Sequence, residues 1–483
     1  MKNPTPSTHL LRRVLALPFL LALSLNAQNT PAPATPGAAP VTAAATPAAA
    51  PALPPEPTKT SYKFDFGAGD AAPGFIKVTP DMVYTDARGF GFETTTVPAP
   101  PTAAGKAGSD AKGDVITSDK PYYFSVALPE GNYKVTVTFG NPTTATNNTV
   151  KAELRRLMLE KVATKPGEFV TKSFIVSERR PQYPGGVVRI KEPRESTQEA
   201  WDWDPRLTFE FTGDHPSVAA VEIEKVEVPV VYIVGDSTST DQMVEPWNSW
   251  GQMFPRWFRP EIAVSNFGES GETLAGVTGE HRFDKIYGLL KKGDYVFIQF
   301  GHNDMKTGGA AGLEKFKVTL ADTVAKIKEH GAQPVIVTAV ARAPGSAGFN
   351  GYVEGAQEVG KNTGTPVIEL NAESQKLYAA LGGDVLKAFT FTTTQDKTHH
   401  NNYGSYEVSK LVIEGIKANK LDLVKYIADD YKPFDPAKPD PVAEFVLPPS
   451  PAYPTPASVF GTAGGRNRAP ANTAPLPVAP PGS

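Results

Sequence analysis

No cysteine occurs in the chain, so neither a disulfide nor a thiolate metal site can form. Net charge is scarce too: 48 basic against 51 acidic residues give −3 with histidine neutral. A balance so close to zero argues against nucleic acid or an anionic membrane as partner. Long apolar runs are almost missing. The one near the start, Val14 to Leu25, has about half the length needed to span a bilayer. Arg12 and Arg13 precede it and Asn26–Ala27 end it, so residues 1–27 read as a secretory signal. Cleavage there would remove Lys2, Arg12 and Arg13, move the formal charge from −3 to −6, and leave no membrane span. The expected location is therefore secreted or periplasmic, which permits disulfides without requiring them.

Aromatic residues are absent from 28–57, where 24 of 30 residues are Ala, Pro or Thr. Such a stretch cannot bury enough apolar surface to order itself, so 28–59 reads as a semi-extended linker. The stretch 441–483 carries 11 prolines and reads the same way, within a Pro-rich tail over 433–483.

Residues 60–228 lack any long amphipathic helix and are rich in short alternating strands. In YYFSVALPEGNYKVTVTF (122–139), Phe124, Val126 and Leu128 share one face, and Tyr133, Val135, Val137 and Phe139 share the next, on either side of a Pro129–Gly131 turn. That pattern predicts a hairpin, with further strands near 61–67, 151–159, 169–176, 187–191, 207–211 and 218–226. The unit reads as a β-sandwich. Trp201 and Trp203, each flanked by carboxylates in EAWDWDPR, are its candidates for an exposed sugar-stacking surface; the alternative is that both cap the sandwich core.

From 229 to 432 the rhythm changes to strand and helix in turn. Strands are predicted at 230–234, 261–266, 294–300, 334–340 and 366–370. Leu313, Phe316, Leu320, Val324 and Ile327 make one apolar helical face over 311–330. A last helix is predicted over 405–418, although Gly415 lies inside it. Such alternation predicts a three-layer α/β/α domain around a mostly parallel sheet, with the loops after the strands gathered on one edge.

The chemistry-bearing residues fall in those loops. Ser237 follows the buried run VVYIVGD (230–236). A serine hydroxyl needs a base. Of the seven histidines, His302, His399 and His400 remain once those without chemical company are set aside. His399 has Asp396 three residues earlier, a spacing that can place a carboxylate on Nδ1 and leave Nε2 for the serine proton. His400 reads as a rim group or substrate contact, and His302 as a second possible contact. The oxyanion formed on attack needs donors in place. Ser237 N–H, Gly271 N–H and the Asn303 side-chain amide can supply them. Asp396, His399 and His400 would hold a metal only if they converged with a free edge, so no metal and no cofactor is expected.

GDSTS (235–239), NFGESG (266–271), GHND (301–304) and DKTH (396–399) resemble the four blocks of the SGNH or GDSL hydrolase superfamily, in the family order. The rhamnogalacturonan acetylesterase group of carbohydrate esterases is the nearest likeness, and residues 60–228 resemble the galactose-binding-like sandwich that precedes longer members. The resemblance implies a flavodoxin-like hydrolase domain and a serine acyl-enzyme mechanism. Ser237 would be the nucleophile, His399 the base and then the acid, Asp396 its orienter, and Ser237, Gly271 and Asn303 the oxyanion hole. The implied substrate is an acetylated plant cell-wall polysaccharide. In one departure, Glu272–Thr273 follow the second-block glycine where the group often has arginine or small polar residues. No G-x-S-x-G elbow is present, which speaks against an ordinary α/β-hydrolase. Two alternatives remain: an esterase or lipase acting on another acyl group, although only a short apolar run (389–394) is available as a lid, and a non-catalytic carbohydrate-binding protein.

Overall fold

The computed structural model describes residues 55–93, 102–105, 114–306 and 308–451. The expected signal, most of the linker and the tail beyond 451 lie outside the described residues.

Two mainly antiparallel sheets form the front unit. One carries, in order, Phe169–Glu178, Gly131–Gly140, Ser217–Val226, Ser61–Phe66 and Ile76–Val78, with Asp114–Thr117 also on Ser217–Val226 and Thr102–Gly105 beside it. The other runs Phe90–Phe92, Tyr122–Ala127, Arg206–Asp214, Thr146–Ala152, Arg156–Thr164. Phe64, Phe66, Phe124, Val126, Val135, Val137 and Phe139 are fully buried between them. Each such side chain contributes about 1.5–3 kcal/mol.

The structure corrects the expected hairpin at 122–139. Its two strands pair with other partners and lie in opposite sheets, so the Pro129–Gly131 turn carries the chain across the sandwich. Their apolar faces meet through the core rather than side by side. Residues 187–191 are not a sheet strand; only Gly186–Val187 pairs, with Gln182–Tyr183. The expected strand at 151–159 is broken by a turn in which Glu153 and Arg155 have positive φ.

The second unit has a five-stranded, all-parallel sheet in the order Ala263–Asn266, Val230–Gly235, Tyr295–Gln299, Gln333–Val337, Val367–Ile368. By chain order this is 2-1-3-4-5, the flavodoxin-like arrangement, whose ligand crevice lies beyond the carboxyl ends of the strands. Successive residues alternate between two cores. Val231, Ile233, Phe297, Val335 and Val337 face Leu377, Val408 and Val412; Val230, Tyr232, Val234, Val296 and Ile298 face Phe316, Leu320 and Val324. The helix Gly309–Glu329 buries the predicted face. The last helix runs Asn402–Ala418, starting earlier than expected because Asn401 caps it by accepting from Gly404 N. Gly415 is needed inside it: a Cβ there would collide with Ile368.

Residues 434–450 are not a solvated tail. Phe434, Val442, Phe445 and Leu447 pack on the hydrolase core, and Tyr403 Oη donates to Asp440 O at 2.7 Å. The segment then reaches the sandwich, where Lys151 Nζ donates to Pro448 O and Ser450 Oγ, both at 2.8 Å.

Candidate active site

The strand Val230–Gly235 is buried along its whole length and delivers Asp236 and Ser237 at its carboxyl end. Asp236 Oδ1 accepts from Thr238 N (2.9 Å) and Thr238 Oγ1 (2.8 Å), an Asx-type turn that sets the backbone at Ser237. Its Oδ2 lies 3.3 Å from His302 Nδ1. Burial works to raise the Asp236 pKa, but His302 and Thr238 outweigh it and hold the carboxyl below its ordinary value.

Ser237 is 8% exposed, and its Oγ lies 2.7 Å from His399 Nε2. His399 Nδ1 lies 2.6 Å from Asp396 Oδ2. Asp396 Oδ1 accepts from Thr398 N (2.7 Å) and His399 N (3.1 Å), so the loop locks its own carboxylate. Burial alone would raise the Asp396 carboxyl; the hydrogen bond and charge of His399 and the two N–H groups prevail and hold it at about 2. Asp396 thus stays ionised wherever an imidazole can act as base.

Asn303 Nδ2 donates to Glu272 O at 2.9 Å, and Lys306 Nζ donates to Asn303 Oδ1 at 2.8 Å, which sets the amide's orientation. Asp304 ties the two loops together by accepting from Leu274 N and Gly301 N, each at 3.0 Å. Burial raises its pKa to about 6. Gly271 has φ +79°, the left-handed region that favours glycine. The structure therefore gathers Ser237, Gly271 and Asn303 from three loops, and Asp396 with His399 from a fourth, onto one sheet edge.

The other candidates lie elsewhere. His400 is 1% exposed; its ring stacks on Phe389 and its Nε2 lies 2.6 Å from Tyr378 Oη, so it is a packed core group rather than a rim contact. His302 is 2% exposed behind Asp236, with its ring edge on Phe349, and does not present itself to a substrate. Trp201 and Trp203 are 2% and 1% exposed. Trp201 packs on Tyr123 and Leu154. Trp203 lies against Arg179, packs edge-to-face with Phe267 of the hydrolase domain, and donates to Glu195 Oε1. The acids beside them mislead because they are buried ion pairs: Asp202 with Arg156 and Arg179, Asp204 with Arg206.

Residues that the sequence reading passed over join the front unit to the site. Arg155 Nη1 donates to Gln242 O and Trp247 O, and Nη2 to Asn402 Oδ1. Arg156 Nε pairs with Asp241 at 2.5 Å. Lys191 pairs with Glu272 at 2.5 Å, which gives the departure at Glu272 a partner. A signal was present: adjacent arginines in a strand-like run are costly to bury unless paired. Among the described residues, no group of three or more His, Asp or Glu is placed to hold a metal ion, and no helix is long and apolar enough to cross a membrane.

Comparison with known proteins agrees with this architecture. Residues 62–164 match the model of the beta-agarase/YXIM esterase-like, galactose-binding domain-like family. Residues 233–404 match the GDSL-like lipase/acylhydrolase family. The chain is 32% identical over 219 residues to rhamnogalacturonan acetylesterase RhgT of Bacillus subtilis (strain 168), covering 41% of this chain and 93% of that protein. It is 25% identical over 374 residues to the uncharacterized esterase YxiM of the same organism, covering 74% of this chain and 90% of YxiM. To the probable rhamnogalacturonan acetylesterase YesY, also from that organism, it is 27% identical over 216 residues, covering 41% of this chain and 96% of YesY. The chain belongs to the GDSL-like lipase/acylhydrolase family of SGNH hydrolases: it is an esterase whose catalytic domain follows a galactose-binding-like sandwich.

Proposed function

We propose that this esterase is exported and removes O-acetyl groups from an acidic polysaccharide of rhamnogalacturonan type, through an acyl-enzyme on Ser237. The observation that carries the reading is the unbroken relay from Asp396 through His399 to Ser237, at 2.6 and 2.7 Å. Ser237 Oγ attacks the ester carbonyl as His399 Nε2 takes its proton. The N–H groups of Ser237 and Gly271 and the second amide hydrogen of Asn303 receive the oxyanion. The sugar oxygen leaves, protonated by His399, and water releases acetate by the same route. The Asp396 carboxylate holds the tautomer and stabilises the imidazolium.

Two lines support the substrate class. Two of the relatives described above bear the name rhamnogalacturonan acetylesterase, one of them with the qualifier probable. Lys306 on Asn303, Arg342 on His302 O and the exposed Lys397 beside Asp396 place cations around the edge, which favours a polymer bearing carboxylates. The buried indoles give no support to sugar stacking by the sandwich. An acetate-release screen over acetylated rhamnogalacturonan, homogalacturonan, xylan and aryl esters of increasing acyl length tests the reading. It expects the highest kcat/KM on acetylated rhamnogalacturonan; a preference for long-chain aryl esters with no acetate from any polysaccharide would overturn it.

A further inference from the structure

We infer that Lys191 and Arg194, both supplied by the front domain, are positioning residues that hold the oxyanion donor at Gly271 in its working orientation. The inference rests on the proposed role of Gly271 N–H and goes beyond it by assigning that group's orientation to another domain.

Residues 269–272 form a tight turn closed by Glu272 N donating to Glu269 O at 3.3 Å. With Gly271 at its third position and φ +79°, the turn is of type II. Its central plate is the Ser270–Gly271 peptide. Because that peptide is planar and trans, Ser270 O and Gly271 N–H point in opposite directions. Types I and II differ by a flip of this plate, and glycine at the third position accepts both. A flip would exchange the two groups and reverse the N–H from the orientation that its proposed oxyanion role requires. Nothing in the turn itself prevents it.

What opposes the flip comes from outside the hydrolase domain. Lys191 Nζ donates to Ser270 O at 2.9 Å, and Arg194 Nη2 donates to the same oxygen at 3.2 Å. Two cationic donors on one carbonyl fix the plate, and such charge-assisted bonds are roughly twice as strong as neutral ones. They also polarise the peptide so that its N–H becomes a better donor. Both residues lie between the sandwich strands Phe169–Glu178 and Arg206–Asp214.

Their own placement is secured. Lys191 pairs with Glu272, and Arg194 pairs with Glu269 and with Glu199 Oε1 at 3.1 Å. Lys191 N donates to Glu195 Oε2, and Glu195 is held in a two-pronged pair by the fully buried Arg282 at 3.0 and 2.6 Å. The segment is thereby anchored to the hydrolase domain immediately behind the turn. The residue that departs from the acetylesterase pattern, Glu272, is the counter-ion of the lysine that grips the plate.

The test uses the full chain with 4-nitrophenyl acetate. Lys191→Met plus Arg194→Met should lower kcat by about 10- to 100-fold, up to the loss of one oxyanion donor, with KM within about twofold. The acid-limb midpoint of kcat should not move. Lys191→Arg and Arg194→Lys should each recover most of the rate lost in the matching methionine variant, since each restores a charged donor. Should the double variant not fold, the single methionine variants carry the test, each losing about three- to tenfold in kcat. A kcat within twofold of wild type in the folded double variant, or in both singles, overturns the inference, as does a lowered melting temperature with unchanged kcat, the mark of a simple domain staple. Asn303→Ala separates the two readings: if it slows turnover while the Lys191 and Arg194 variants do not, only the clamp fails; if it too runs at full rate, the oxyanion reading fails.

Discussion

His400 makes the esterase sensitive to acid through its stability, separately from catalysis. The imidazole is buried against Phe389 and Tyr378. Burial, followed by the charges of His399 and His302, pushes its pKa down to about 3. In the unfolded chain it titrates at about 6.5. Between these values the unfolded state binds a proton that the folded state refuses, so this group's contribution is intact above about pH 6.5 and is lost as pH falls toward 3. At pH 4.5 the difference is about two pK units, or about 3 kcal/mol. His400→Gln retains a polar group for the Tyr378 hydroxyl but cannot charge. It should be less stable than wild type at pH 7.5 because the ring packing is lost. On going to pH 4.5 it should lose about 3 kcal/mol less than wild type does. Urea unfolding followed by tryptophan fluorescence at both pH values measures this, and the difference of differences cancels the other titrating groups. Equal acid losses in the two proteins would refute the reasoning.

Asn303→Ala should lower kcat on a small acetate ester by about a hundredfold, and, because asparagine does not titrate, leave the acid limb of the pH–rate profile in place; an unchanged kcat would remove it from the oxyanion hole. Trp203→Ala should lower the melting temperature and, where folded, reduce rates on polymer and aryl acetate alike, since the indole is buried at the domain junction; a selective loss on polymer would restore the sugar-contact reading. Truncation after residue 433 should lower stability by several kcal/mol through the loss of packing by Phe434, Phe445 and Leu447; an unchanged urea midpoint would show that the segment is dispensable.

The grouping of residues at the candidate catalytic edge was legible because its geometry is local. A buried strand ending in Gly235–Asp236–Ser237, and a carboxylate three residues before a histidine, carry their turn chemistry in adjacent residues. The parallel sheet was legible for a similar reason, since continuous apolar strands between amphipathic helices leave few alternatives. What failed depended on distant partners. Period-two alternation at 122–139 marks which side chains face the core, but not which strand lies alongside. Asp202 and Asp204 suggest solvent until their partners Arg156, Arg179 and Arg206 are known. His400 adjoins His399 in sequence, yet just before the helix start at Asn402 its ring packs inward on Phe389. Residues 434–450 look like a spacer by proline content, while Phe434, Phe445 and Leu447 within them find a core built by other segments.

The central claim is that Ser237 is the acyl-accepting nucleophile activated by His399. Its most direct test is covalent labelling with a fluorophosphonate, followed by peptide mass mapping and activity measured on the same samples. The account predicts a single adduct on Ser237 that rises in proportion to lost activity, and strongly slowed labelling in His399→Ala. Full inactivation with Ser237 unmodified, or wild-type acetate release by Ser237→Ala, would contradict it.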